Sequence, residues 1–149
     1  MLAWQKGAYY HIYNRGVSRS ILFREPDNYR YVLEKIQKYR KDNNITIIAY
    51  CLMPNHYHLL LRQDDEQPAG NVPQLVFNSY SKAYNLRYRH SGTLFEGRFR
   101  AKVIENSGYL LHLCRYIHGN PVKDGLVADP ADWPWSNYLE WIGERNGSL

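Results

Sequence analysis

Cysteine is scarce: Cys51 and Cys114 are the only two in 149 residues, both in apolar surroundings and without CxxC spacing. That excludes a disulfide-stapled scaffold and a cysteine-built zinc ribbon. It reads as two buried free thiols in a reducing compartment, with a bridge between them left open. No apolar run approaches the roughly 20 residues of a membrane-spanning helix. The start lacks the charged and apolar blocks of a secretory signal, so residence in the cytoplasm is expected. Repeats and low-complexity segments are absent. "GTLFEGRF" holds glycines but no strand-loop-helix phosphate cradle, and no Ser-His-Asp or Cys-His order suggests a triad.

What is present is a basic, aromatic chain large enough for one self-sufficient domain. Nineteen Lys plus Arg stand against fourteen Asp plus Glu, with fourteen tyrosines and four tryptophans. Cationic side chains mixed with flat rings suit single-stranded nucleic acid, where phosphates need neutralising and unpaired bases need stacking partners.

Periodicity yields the order of elements. "AYYHIYNRG" (8–16) alternates as a strand and stops at a turn. Residues 24–44 place Tyr29, Val32, Leu33, Ile36 and Tyr39 at helical spacing behind Pro26. Residues 45–53 and 56–62 read as an antiparallel strand pair around Pro54-Asn55, and 74–90 as a second helix. The stretch 92–105 ends as a strand with Arg98, Arg100 and Lys102 on one face. A third helix over 107–121 stops at Pro121. The expected fold is α+β: a ferredoxin-like (RRM-like) βαββαβ antiparallel sheet, helices on one face, with an added C-terminal helix. Residues 1–149 form one domain in this reading, with 122–149 as a tail whose "DWPWSNY" packs as a cover.

The chemistry centres on "CLMPNHYHLLLR" (51–62). His56 and His58 stand two apart, so a strand turns both to one face. They are either half of a metal site or ordinary polar residues on an exposed sheet. In the third helix, His112, Tyr116 and Asn120 recur every four residues and share a face. If that helix crosses near the imidazoles, Asn120 can add an oxygen ligand and Tyr116 lies beside the ion. Two imidazoles and an amide oxygen with open positions suit Mg²⁺ or Mn²⁺ better than a closed zinc site. Tyr116 would then be the nucleophile toward a phosphodiester. Tyr109, seven residues earlier, is its nearest rival. Asn14 and Arg15 of the "NRG" turn, with Arg98, Arg100 and Lys102, are candidate DNA contacts or else solvated basic positions.

"MPNHYHLLL" resembles the His-hydrophobic-His motif of the HUH single-strand DNA endonucleases. "CRYIHGNPVKDGLV" resembles the tyrosine helix of their single-tyrosine transposase branch. "YHIYNRG" near the start, with "NPV" and "WPWSNY" near the end, is similar to the REP-associated tyrosine transposases of bacteria. The likeness runs from Tyr9 to Tyr138. It implies cutting of single-stranded DNA at hairpin-forming repetitive palindromes, with a 5′-phosphotyrosine on the protein and a free 3′-OH. By the same resemblance, His56, His58 and Asn120 (Gln in many relatives) are metal ligands, Tyr116 is the nucleophile, and the protein is nucleoid-associated. Monomer and homodimer stay open. The rivals are a noncatalytic single-strand-binding module on the same scaffold, and a metal phosphodiesterase that uses water instead of Tyr116.

Overall fold

A computed structural model describes residues 3–147 and 149. Residues 1, 2 and 148, which belong to the expected 1–149 domain and its 122–149 tail, lie outside the described residues. The elements are β1 (Tyr9–Arg15), α1 (Pro26–Asp42), β2 (Ile45–Met53), β3 (His56–Gln63), α2 (Asn71–Tyr88), β4 (Arg100–Ile104), α3 (Ser107–Lys123) and the single turn α4 (Tyr138–Trp141). Short 3₁₀ turns span Val17–Arg19 and Pro130–Asp132. The sheet runs β2-β3-β1-β4, antiparallel throughout, which is the expected α+β arrangement. Among the described residues no helix is long and apolar enough to cross a membrane.

Strand alternation sorts the side chains into two layers. Tyr10 and Ile12 of β1 and Tyr57, Leu59 and Leu61 of β3 pack against Val32 and Ile36 of α1 and Val76, Phe77 and Tyr80 of α2. Tyr57, bulky for its position, is accommodated by stacking on Phe77 with centroids 3.9 Å apart. The opposite face carries Ala49, Cys51, Met53, Leu60 and Ile104, covered by Leu113, Cys114 and Ile117 of α3. Helices therefore lie on both faces, not one, because α3 has its own apolar stripe to bury. Both cysteines are free and buried in this second layer.

Element ends differ from the sequence reading by up to three residues, and two of the differences bear on the site. α3 continues past Pro121 to Lys123. A proline one turn from a helix end forfeits little beyond its own missing N–H, and its carbonyl still accepts from Leu126 N at 2.9 Å. β4 starts only at Arg100, so Arg98 lies in the bend before the strand. Gly97 has φ +127°, a conformation that interrupts extended backbone there.

The tail covers the β2 edge, which would otherwise present unpaired backbone groups. Leu52 N donates to Trp135 O (2.8 Å), and the indole N–H groups of Trp133 and Trp141 donate to Leu52 O (3.0 Å) and Ile48 O (2.9 Å). Asn137, buried, imitates a paired strand residue. Its Oδ1 accepts from Tyr50 N (3.0 Å) and His118 Nε2 (2.7 Å), and its Nδ2 donates to Ile48 O (3.1 Å). Removing it strands buried partners, so Asn137→Ala is expected to lower stability by about 2–3 kcal/mol. Urea unfolding checks this: a lower midpoint at unchanged slope is expected.

Candidate active site

The two-layer sorting decides where the histidines go. With Tyr57, Leu59 and Leu61 committed to the α1/α2 core, His56 and His58 must face α3. α3 crosses that face, packing on β2, and sets the Tyr116 ring edge-on to His58 with centroids 5.7 Å apart at 80°. One turn on, Asn120 is 3% exposed whereas Tyr116 is 42% exposed. Asn120 Nδ2 donates back to the Tyr116 carbonyl at 3.1 Å, and its side chain lies near enough to His56 to favour that ring's protonated form.

Each imidazole is held through Nδ1. His56 Nδ1 lies 2.8 Å from Asn55 Oδ1, which can only accept, so the nitrogen carries the proton. His58 Nδ1 lies 3.0 Å from His11 Nε2, and the two rings stack with centroids 5.2 Å apart. Asn55 fixes the tautomer and orientation of His56, as outer-shell groups do for metal-binding histidines, and the His11 contact holds the His58 ring in place. Burial, then the nearby charges of His11, His56 and Lys123, pushes His58 down to about 3. Burial, then Lys102, brings His11 to about 4. His56 is lowered by burial, against the opposing effects of Asn120 and Asp124. Neutral imidazoles with lone pairs are what a cation needs. Among the described residues no three His, Cys, Asp or Glu side chains form a metal cluster. Two imidazoles, with the Asn120 carboxamide beside them, are the side chains here that could hold a divalent cation.

Asn55, His56, His58 and Tyr116 line an open cleft of about 590 Å³, whereas the buried His11 and Asn120 stand behind its lining. Asn14, Arg15, Arg98 and Arg100 line it too. Asn14 is occupied in pinning a loop, its Nδ2 donating to Gly97 O at 3.0 Å, and Arg15 is paired with Glu96. Lys102 lies outside the lining, with Nζ 5.8 Å from the Tyr13 ring centroid. Tyr109 is exposed beside His112 and does not reach the cleft. The sequence reading missed His11, Tyr13, Arg19, Asn55, Glu96 and Asp124. Only the alternation His11, Tyr13, Arg15 signalled a face of β1, and which strand that face adjoins needs the register Tyr13↔His58.

The family described as "Transposase IS200 like" matches residues 5–120. The chain belongs to the IS200-like transposases. Among its relatives, an Escherichia coli K12 protein named REP-associated tyrosine transposase is 25% identical over 128 residues, covering 78% of this chain and 74% of that one. A Haemophilus influenzae protein, provisionally given the same name, is 30% identical over 102 residues, 61% of this chain and 57% of its own length. The chain thus spans little more than half of that relative. A solved REP-associated tyrosine transposase bound to a REP hairpin shares the fold, with a TM-score of 0.80 at 22% identity over 99% of this chain and 90% of that one.

Burial of the neutral imidazoles has a pH signature. His11 and His58 bind protons more weakly folded than at their ordinary value of 6.5. The unfolded chain then takes up protons first as pH falls. Stability is complete above 6.5 and drains as pH drops toward about 4 for His11 and about 3 for His58. With EDTA present, moving from pH 7 to 5 should lower the unfolding free energy by about 2 kcal/mol per imidazole. Urea titrations at both pH values measure it; equal stability would contradict the buried neutral pair.

Proposed function

We propose that this transposase cuts and rejoins single-stranded DNA at hairpin-forming repetitive palindromes, through a 5′-phosphotyrosine on Tyr116. The observation that carries the reading is the α3 phenol set against the two β3 imidazoles in one basic cleft, with the Asn120 carboxamide buried one turn further along the helix. The name of the E. coli relative and the hairpin bound to the solved one support the choice of DNA.

A scissile phosphate lies between Tyr116 and the imidazole pair, with Arg98 and Arg100 on neighbouring phosphates. The Tyr116 oxygen attacks phosphorus, and the phenol proton passes to solvent, to which this side chain is open. The P–O3′ bond breaks, and the departing oxygen takes up a proton to become the 3′-OH. The diester survives as a tyrosyl ester, so an incoming 3′-OH can reverse the step without an energy source. A divalent cation, Mg²⁺ or Mn²⁺, held by His56, His58 and Asn120 supplies stabilisation of charge on the phosphate oxygens. Tyr116 sits against His58 of its own chain, which supports a tyrosine acting in cis.

A noncatalytic binding module has no use for imidazoles held in place opposite an exposed phenol. A labelled single-stranded palindrome incubated with Mn²⁺ should give a denaturation-resistant protein adduct. EDTA or Tyr116→Phe should abolish it. Continued cutting by Tyr116→Phe would instead assign the reaction to water, and cutting without adduct in the unaltered protein would do the same. His58→Ala should remove Mn²⁺ binding, read by electron paramagnetic resonance, independently of DNA.

A further inference from the structure

Two acidic side chains line the cleft, Asp124 on the α3 side and Glu96 among the arginines. Arg15 grips the Glu96 carboxylate at two points, Nε on one oxygen and Nη2 on the other, the latter at 3.0 Å. A planar guanidinium holds the two non-bridging oxygens of a phosphodiester in the same manner. Arg15's hydrogen bond, helped by the charges of Arg15, Arg100 and Arg19, holds the Glu96 carboxyl below its ordinary range against opposing desolvation. Arg15, Arg19 and Arg100 all line the cleft. Three cations thus face one carboxylate.

The backbone fixes this meeting. Glu96 N donates to Arg15 O at 3.0 Å, and Val17 N donates to Leu94 O at 3.0 Å, so the loop is tied to the end of β1. The following turn doubles back so closely that a Cβ on Gly16 would stand 2.2 Å from the Ser20 carbonyl oxygen. Within it Ser18 and Arg19 both take left-handed φ, +50° and +59°. Strain of this kind on residues other than glycine persists where surroundings enforce it, and it concentrates at functional sites. Here it carries Arg19 to the cleft.

Stability does not explain the pair. Arg15 and Glu96 side chains are 55% and 42% exposed, and exposed ion pairs add little to folding. We propose that Arg15, Arg19 and Arg100 form a phosphodiester subsite and that Glu96 occupies it in place of a DNA phosphate until an incoming strand displaces it. The proposal rests on the single-strand reading above. Glu96 lowers affinity for every strand that fills the subsite. At low protein concentration only strands with further contacts, such as a hairpin beside the flank, then stay bound.

Fluorescence anisotropy of a labelled thymidine homopolymer and of a hairpin with a single-stranded flank, across a salt series, tests this with Glu96→Gln. One phosphate contact freed from competition should tighten binding of both probes about fivefold at 0.1 M salt and steepen the logarithmic salt slope by about 0.7. Glu96→Ala should give the same gain, and adding Arg15→Ala to either variant should remove it. Equal or weaker binding by both Glu96 variants, while the unaltered protein binds the probes, would overturn the subsite alone and make Glu96 a buttress for Arg15. Binding of neither probe by any of these proteins would sink the single-strand reading and the subsite with it.

Discussion

The register of β3 between β2 and β1 is the constraint from which the site follows. Period-two alternation gives the strand a single choice: Tyr57, Leu59 and Leu61 enter the α1/α2 core, or His56 and His58 do. The three apolar side chains have far more to gain from burial than two imidazoles. That choice delivers both histidines to the other face. There Leu60 of the same strand helps seat α3 through Leu113, Cys114 and Ile117. The layer that holds α3 and the layer that holds the histidines are therefore one packing arrangement.

Polar groups on the α3 face are arranged around that packing. His11 and Asn55 each hold an imidazole through one hydrogen bond, Asn120 is held by the Tyr116 carbonyl, and no buried side-chain nitrogen or oxygen among the described residues lacks a partner. Tyr116 is different, an exposed phenol at the rim of an otherwise buried polar group. A nucleophile has to reach a substrate, whereas ligands have to stay put. The burial of Asn120 beside the exposure of Tyr116 fits that division within one helical turn.

Much of the site was legible because it is local. The i, i+2 spacing of His56 and His58 and the i, i+4 spacing of Tyr116 and Asn120 are properties of single elements, readable without tertiary knowledge. The tail as a cover was legible too, since "DWPWSNY" has large rings with no helix or strand of their own to fill. His11 was not legible. It lies 47 residues from His58 in sequence, and only the β1–β3 register makes them neighbours. Arg15 looked like a free cation because its partner Glu96 lies 81 residues away on a loop. The placement of α3 on the opposite face from α1 and α2 was hidden for a related reason: a helix's own periodicity shows which stripe is apolar, not which sheet face receives it. Pro121 and the late start of β4 show local breakers being overruled or reinforced by their surroundings.

The central claim is spatial: two imidazoles, one carboxamide and one phenol share a cation. Anomalous scattering from crystals soaked in Mn²⁺ measures that directly. The account predicts one strong peak bounded by His56, His58 and Asn120, with the Tyr116 ring beside it. A peak away from these side chains, or none at saturating Mn²⁺, would contradict it.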